Sequence, residues 1–131
     1  MLYAGPAAVV MLNRYPYNNG HMMVAPRRHL PSLEALDERE RSALNELLCD
    51  SVAILRRALK PSGFNLGANV GRVAGAGFPG HFHWHIVPRW DGDTNFMPTL
   101  AATKVISQHL EASFDLLSPL FEALATGAAK K

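Results

Sequence analysis

A single cysteine, Cys49, is all the thiol chemistry the chain carries. An intrachain disulfide and a C-x-x-C zinc knuckle are both excluded, and a reducing cytoplasm is the expected setting. Cys49 falls within an apolar helical stretch and is expected to be a buried, inert thiol. No apolar run approaches the roughly 20 residues that a bilayer-spanning helix needs, so no membrane partner is expected. The opening MLYAGPAAVV lacks the basic region of a secretory signal. Charge is sparse: 13 Lys and Arg against 11 Asp and Glu leave a formal net charge of +2. No basic run exceeds Arg-Arg or Lys-Lys, so a nucleic-acid surface is not expected. An anionic ligand must then be held by a local site. Repeats and low-complexity segments are absent, apart from an Ala-rich, Lys-ended tail from Ala123 that is expected to fray.

What is present suits one domain over residues 1–131. Met1–Tyr3 and Ala7–Leu12 read as short strands around an Ala-Gly-Pro turn. The segment NRYPYNNG is a loop, and His21–Pro26 is a third strand, ended by its proline. Asp37–Lys60 is the clearest helix. Leu44, Leu47, Leu48, Ser51, Leu55 and Ala58 form one stripe, Asp37 and Glu40 have capping-box spacing, and Lys60-Pro61-Ser62-Gly63 ends it, with Gly63 allowing a left-handed turn. Arg39, Arg41, Arg56 and Arg57 form its solvated face. Gly63–Val70 can be a strand, Gly71–Gly80 a loop, and the next strand runs from the histidine segment to Pro88. A second helical face holds Ile106, Leu110, Phe114 and Leu117. Ser118-Pro119 is expected to start a new short helix, since proline suits a first turn and not an interior. Strands in a run, one long helix among them and helices at the end predict an α+β fold with an antiparallel sheet covered on one face.

Three of the six histidines stand in GHFHWHIVPRW, at Gly80–Trp90. In a strand, alternate side chains share a face. His81, His83 and His85 are thereby separated from Phe82, Trp84 and Ile86, which point to the core. Three readings are open: decoration of an exposed face, a metal site, or a nucleophile. Two imidazoles can ligate zinc, but the nearby carboxylates Asp91 and Asp93 lie beyond Pro88, and no H-E-x-x-H occurs; no metal site is assigned. The nucleophile reading is favoured. A neutral imidazole attacks phosphorus without the activation serine needs, provided that a hydrogen bond fixes its tautomer. Neighbouring histidines can then donate protons.

The attacked phosphate would need backbone donors. Six of the ten glycines lie between Gly63 and Gly80. Within that stretch GAGFPG matches G-x-G-x-x-G, but Pro79 and a strand follow it where a dinucleotide site needs a helix N-terminus. The loop can still offer amides to an anion, or be a connector only.

HFHWHIV resembles the H-x-H-x-H-x-x signature of the histidine-triad (HIT) superfamily. NRYPYNNGHMMVAP is similar to the segment upstream of that signature, and Asn69-Val70-Gly71 before a glycine loop is similar to the segment preceding the triad. VPRWDGDTNFMP resembles the bacterial branch related to diadenosine-tetraphosphate phosphorylases, or ATP adenylyltransferases. The likeness covers Leu2 to about Leu117. It implies a HIT-like fold: a five-stranded antiparallel sheet, a long helix packed on it, C-terminal helices, and a homodimer in which two sheets join. It implies a nucleotidyl hydrolase or transferase acting at the α-phosphate of adenosine nucleotides or dinucleoside polyphosphates through a nucleotidyl-histidine. A nucleotide-binding module with little catalysis is the alternative.

Carried over by position, His83 is the nucleophile and His85 contacts the phosphate and the leaving oxygen. His81 and His21 fix the tautomer and orientation of His83. Asn13 binds ribose hydroxyls, Leu12 walls the base pocket, and Asn69 lies near the phosphate. His29 and His109 match nothing functional and are expected at the surface. One departure matters: Gly77 stands where many relatives have a glutamine that contacts phosphate, so amides from Gly77 to Gly80 would have to replace it. No structural zinc and no required cofactor are expected; a divalent cation carried by the substrate's phosphates is allowed. The second acceptor, water or phosphate, is not specified by the sequence.

Overall fold

Alternation in the strands and one amphipathic helix account for most of the architecture. The computed structural model describes residues 1–93 and 107–128. The expected place of Ile106, and the part of VPRWDGDTNFMP beyond Asp93, lie outside the described residues. The strands are β1 (Tyr3–Ala4), β2 (Ala8–Leu12), β3 (Met22–Pro26), β4 (Gly63–Gly67) and β5 (Trp84–Arg89), and the helices are α1 (Glu38–Leu59) and α2 (Ser107–Ala125). The strands form one antiparallel sheet in the order β1-β2-β3-β5-β4. The α+β expectation holds.

Val10, Met22, Val24 and Ile86 share a core with Leu44, Leu47, Ile54 and Leu55 of α1 and Leu117 and Phe121 of α2. Each large apolar side chain buried in this way contributes about 1.5–3 kcal/mol. Phe82 is in that core and Trp84 packs against it. Met23 pairs with His85, and both alternate with core residues, so His85 projects from the face opposite the helices. Among the described residues no helix is long and apolar enough to cross a membrane.

The predicted capping box is present. Asp37 accepts from the Glu40 backbone N–H (2.8 Å), and Glu40 accepts from that of Asp37 (3.0 Å). The left-handed residue that ends α1 is Lys60 (φ 49), not Gly63, which already begins β4.

Several other expectations are corrected. Cys49 is exposed, because two residues beyond Leu47 is about 200° around the helix and faces away from the buried stripe. The paired strand begins at Trp84 and runs through Pro88 to Arg89. Pro88 is tolerated because its carbonyl points to the β3 side, where the ladder has already ended at Ile86–Met22. The Asn18 amide donates to that carbonyl (3.1 Å), so the missing N–H costs no ladder bond. Likewise α2 does not restart at Ser118-Pro119; Pro119 is interior to it. The i−4 carbonyl it leaves unpaired belongs to Asp115, which is exposed and can be hydrated. Meanwhile Ser113, Leu117 and Phe121 continue one buried stripe at every fourth position. Phe114 lies beside that stripe and is 38% exposed. Helix persists to Ala125, past the point where fraying was expected. His29 is exposed, as are Arg39, Arg41, Arg56 and Arg57.

Candidate active site

The loop between β2 and β3 delivers His21. Its start is shaped by Asn13, whose Oδ1 accepts from the Tyr15 N–H (2.9 Å). Its end is Gly20 at φ +74, where a Cβ would lie 2.4 Å from Leu59 Cδ1; glycine is required there on both counts. Asn18 pins the middle of the loop. Its amide reaches the Pro88 carbonyl and Asp93 Oδ2 (2.7 Å), and Asp93 is paired with Arg89 (2.7 Å). The loop and the end of β5 are thus one hydrogen-bonded unit, and His21 enters the sheet fully buried.

Backbone partners decide the tautomers, because a carbonyl only accepts and an N–H only donates. The Tyr17 N–H donates to His21 Nδ1 (3.0 Å). His21 therefore carries its proton on Nε2, which lies 3.0 Å from His85 Nδ1. His85 Nδ1 accepts that proton's hydrogen bond, leaving Nε2–H as the free donor of His85. His83 Nδ1 lies 2.9 Å from the His81 carbonyl; it must donate, so His83 Nε2 holds a lone pair. His81 Nε2 donates to the Pro26 carbonyl (2.7 Å).

Electrostatics keep the pair neutral. Burial, then repulsion from His85 and His83, lowers the His21 pKa from 6.5 to about 3. Burial, then His83, lowers that of His85 to about 4. The His83 and His85 rings meet edge-on with centroids 4.8 Å apart. The Tyr17 ring stacks on His21 at 5.0 Å and 15°, and covers its face.

The sequence-predicted residues therefore divide. His21, His83 and His85 converge, and Asn13 joins them, its Nδ2 3.4 Å from His21 Nε2. His21 bonds to His85 rather than to His83, and the His81 ring turns to Pro26; what holds His83 is the His81 backbone carbonyl. Leu12 lines a cavity of about 300 Å³ with Pro16, Tyr17, Asn18, Leu110 and Ser113. Asn69 donates to the Gly75 carbonyl (3.2 Å) within the glycine loop. Gly77 and Gly80 are exposed, with nothing within 4 Å of a built Cβ. The positive φ values in that loop belong to Gly71 and Gly75. Among the described residues no three His, Cys, Asp or Glu side chains group as a metal site. Helix α2 includes His109, whose side chain lies outside the described residues. Tyr17 was missed by the sequence reading, since it sits in a loop with no period to mark it.

The HIT domain family model matches residues 1–92. An AP-4-A phosphorylase of Mycobacterium tuberculosis is 40% identical over 114 residues, covering 87% of this chain. The chain spans 58% of that relative's length. An uncharacterised HIT-like protein of Mycoplasma genitalium is 34% identical over 85% of this chain and 77% of its own. Among solved structures, a hypothetical histidine triad nucleotide-binding protein of Sulfolobus tokodaii superposes with a TM-score of 0.78 at 25% identity, covering 98% of this chain and 87% of that one. A diadenosine triphosphate hydrolase of Plasmodium falciparum has a TM-score of 0.72 at 20% identity, over 92% and 75% of the two chains, a likeness of fold.

Proposed function

The chain belongs to the HIT domain family, and on that premise we propose that it is a nucleotidyl hydrolase or transferase working through a covalent nucleotidyl-histidine. The observation that carries the reading is the His83 hydrogen bond. With Nδ1–H held by the His81 carbonyl at 2.9 Å, Nε2 is the unprotonated nitrogen of a partly exposed ring. It attacks the α-phosphorus of an adenosine nucleotide or dinucleoside polyphosphate, and the bond from phosphorus to the leaving oxygen breaks. His85 Nε2–H donates a hydrogen bond to that oxygen, which departs as the phosphate oxyanion of the released nucleotide. Inorganic phosphate, or water that loses its proton to solvent, then attacks phosphorus, and the bond to His83 Nε2 breaks, which returns the neutral imidazole. His21 donates to His85 Nδ1 and keeps His85 in the tautomer that presents Nε2–H to the leaving oxygen.

Asn13 is assigned to the ribose and Leu12 to the wall of the base pocket, in keeping with its place on the cavity beside Tyr17. Asn69 and the amides from Gly77 to Gly80 are assigned to the phosphate. No metal is required by these roles, which leave room for a divalent cation on the substrate's phosphates. The partner is a second copy of the chain joined through the β4 edge, where Leu66 is 53% exposed; light scattering giving twice the chain mass tests this.

Diadenosine tetraphosphate is the test substrate, suggested by the phosphorylase relative's name. ADP with ATP only when phosphate is present means phosphorolysis, and AMP with ATP means hydrolysis. His83→Ala is expected to abolish turnover while calorimetry still records nucleotide binding. Activity within about tenfold of wild type would remove the nucleophile role. Binding by the wild type without product would leave a nucleotide-binding module.

A further inference from the structure

The residues that follow β3 form a strap across the lead-in to the histidine strand. Each has its own anchor. The Arg27 N–H donates to the Ala7 carbonyl (2.9 Å). Arg28 grips Glu40 through two hydrogen bonds of 2.8 Å, and Glu40 is itself half of the α1 capping box. The Leu30 carbonyl accepts from the Phe82 N–H (2.6 Å), and the Pro26 carbonyl accepts from His81 Nε2 (2.7 Å). Between those two bonds the His29 ring lies against the His81 ring, centroids 4.4 Å apart and planes at 50°. His81 is therefore held on its edge by Pro26 and on its face by His29. Its backbone carbonyl is what accepts the His83 Nδ1–H.

We propose that His29 is a positioning residue for His83: packed on the His81 ring, it acts with the Leu30–Phe82 bond to fix the carbonyl that sets the tautomer and aim of the nucleophile. The inference rests on the reading of His83 as nucleophile, and extends it by a residue that touches no reacting atom. A bond to one carbonyl leaves the His81 ring free to swing about that edge. The His29 ring closes the swing, while the Phe82 N–H bond to the adjacent Leu30 carbonyl ties the peptide after His81 to the same strap. Because the contact is ring on ring, an aromatic side chain of similar width should substitute for it.

Two variants of the full chain test this, His29→Ala and His29→Phe, with thermal melts to verify folding. With diadenosine tetraphosphate, His29→Ala is expected to lower kcat about tenfold with KM within about twofold, since a displaced nucleophile loses rate rather than binding. His29→Phe is expected to recover kcat to within about twofold of wild type. Ring nitrogen-15 spectra of His83 supply a readout independent of turnover: the Nδ1–H form should dominate in wild type and His29→Phe, and lose population in His29→Ala. Unchanged kcat in His29→Ala, no recovery in His29→Phe, or an unaltered His83 tautomer would each overturn the proposal. If the wild type turns over no nucleotide, the functional reading fails while the spectra still decide the role of His29.

Discussion

Replacing His21 by glutamine isolates the acid sensitivity built into the site. In the folded chain His21 titrates at about 3, against 6.5 for an unhindered imidazole. Between those values the unfolded chain binds a proton that the folded chain refuses. Stability is therefore complete above about pH 6.5 and is lost as pH falls toward 3. At about pH 4.5 the pH is two units below the pKa of the unfolded imidazole, at about 1.4 kcal/mol per unit, so His21 alone costs roughly 2–3 kcal/mol. His85, lowered to about 4, adds a loss of the same sign. Its shift comes from burial and His83, so it persists in the variant and largely cancels in the difference, as do the carboxylates. Glutamine can accept from the Tyr17 N–H and donate to His85 without titrating. Urea unfolding at about pH 8 and pH 4.5, followed by tryptophan fluorescence, should show wild type losing roughly 2–3 kcal/mol more than His21→Gln. Equal losses in the two proteins would mean that His21 is not held neutral by burial.

Gly20→Ala is expected to destabilise by about 2–3 kcal/mol, from the positive φ and the collision with Leu59 together; a lower urea midpoint with unchanged slope checks it. Asp37→Ala removes one half of the capping box and is expected to cost about 0.5–2 kcal/mol, read in the same assay.

How much of this was legible in the sequence depends on whether the deciding group is a side chain or a neighbour. The Asp37–Glu40 box was legible because both partners are three residues apart in the chain. The separation of Phe82, Trp84 and Ile86 from the histidines was legible because a strand's period is two. The two prolines were misread for one reason. The cost of a missing N–H is set by where it faces, and that is a tertiary fact: Pro88 faces the end of a ladder, where Asn18 takes its carbonyl, and Pro119 spares only the carbonyl of exposed Asp115. Phe114 shows the same limit, since the wheel names a broad apolar arc but not which part meets α1 and β1.

The histidines could be found from their spacing, yet their chemistry could not. Which nitrogen of His83 is free is decided by the carbonyl of His81, and which nitrogen of His21 is protonated by the N–H of Tyr17. Every residue but proline carries those same two groups, so no residue type announces them. The neutral state of His21 has a similar origin, because it comes first from burial and then from repulsion by His85 and His83, neither of which its residue type announces. A variant that keeps all three triad rings but shifts the His81 peptide should therefore lose more rate than one that alters a solvated residue such as Arg57.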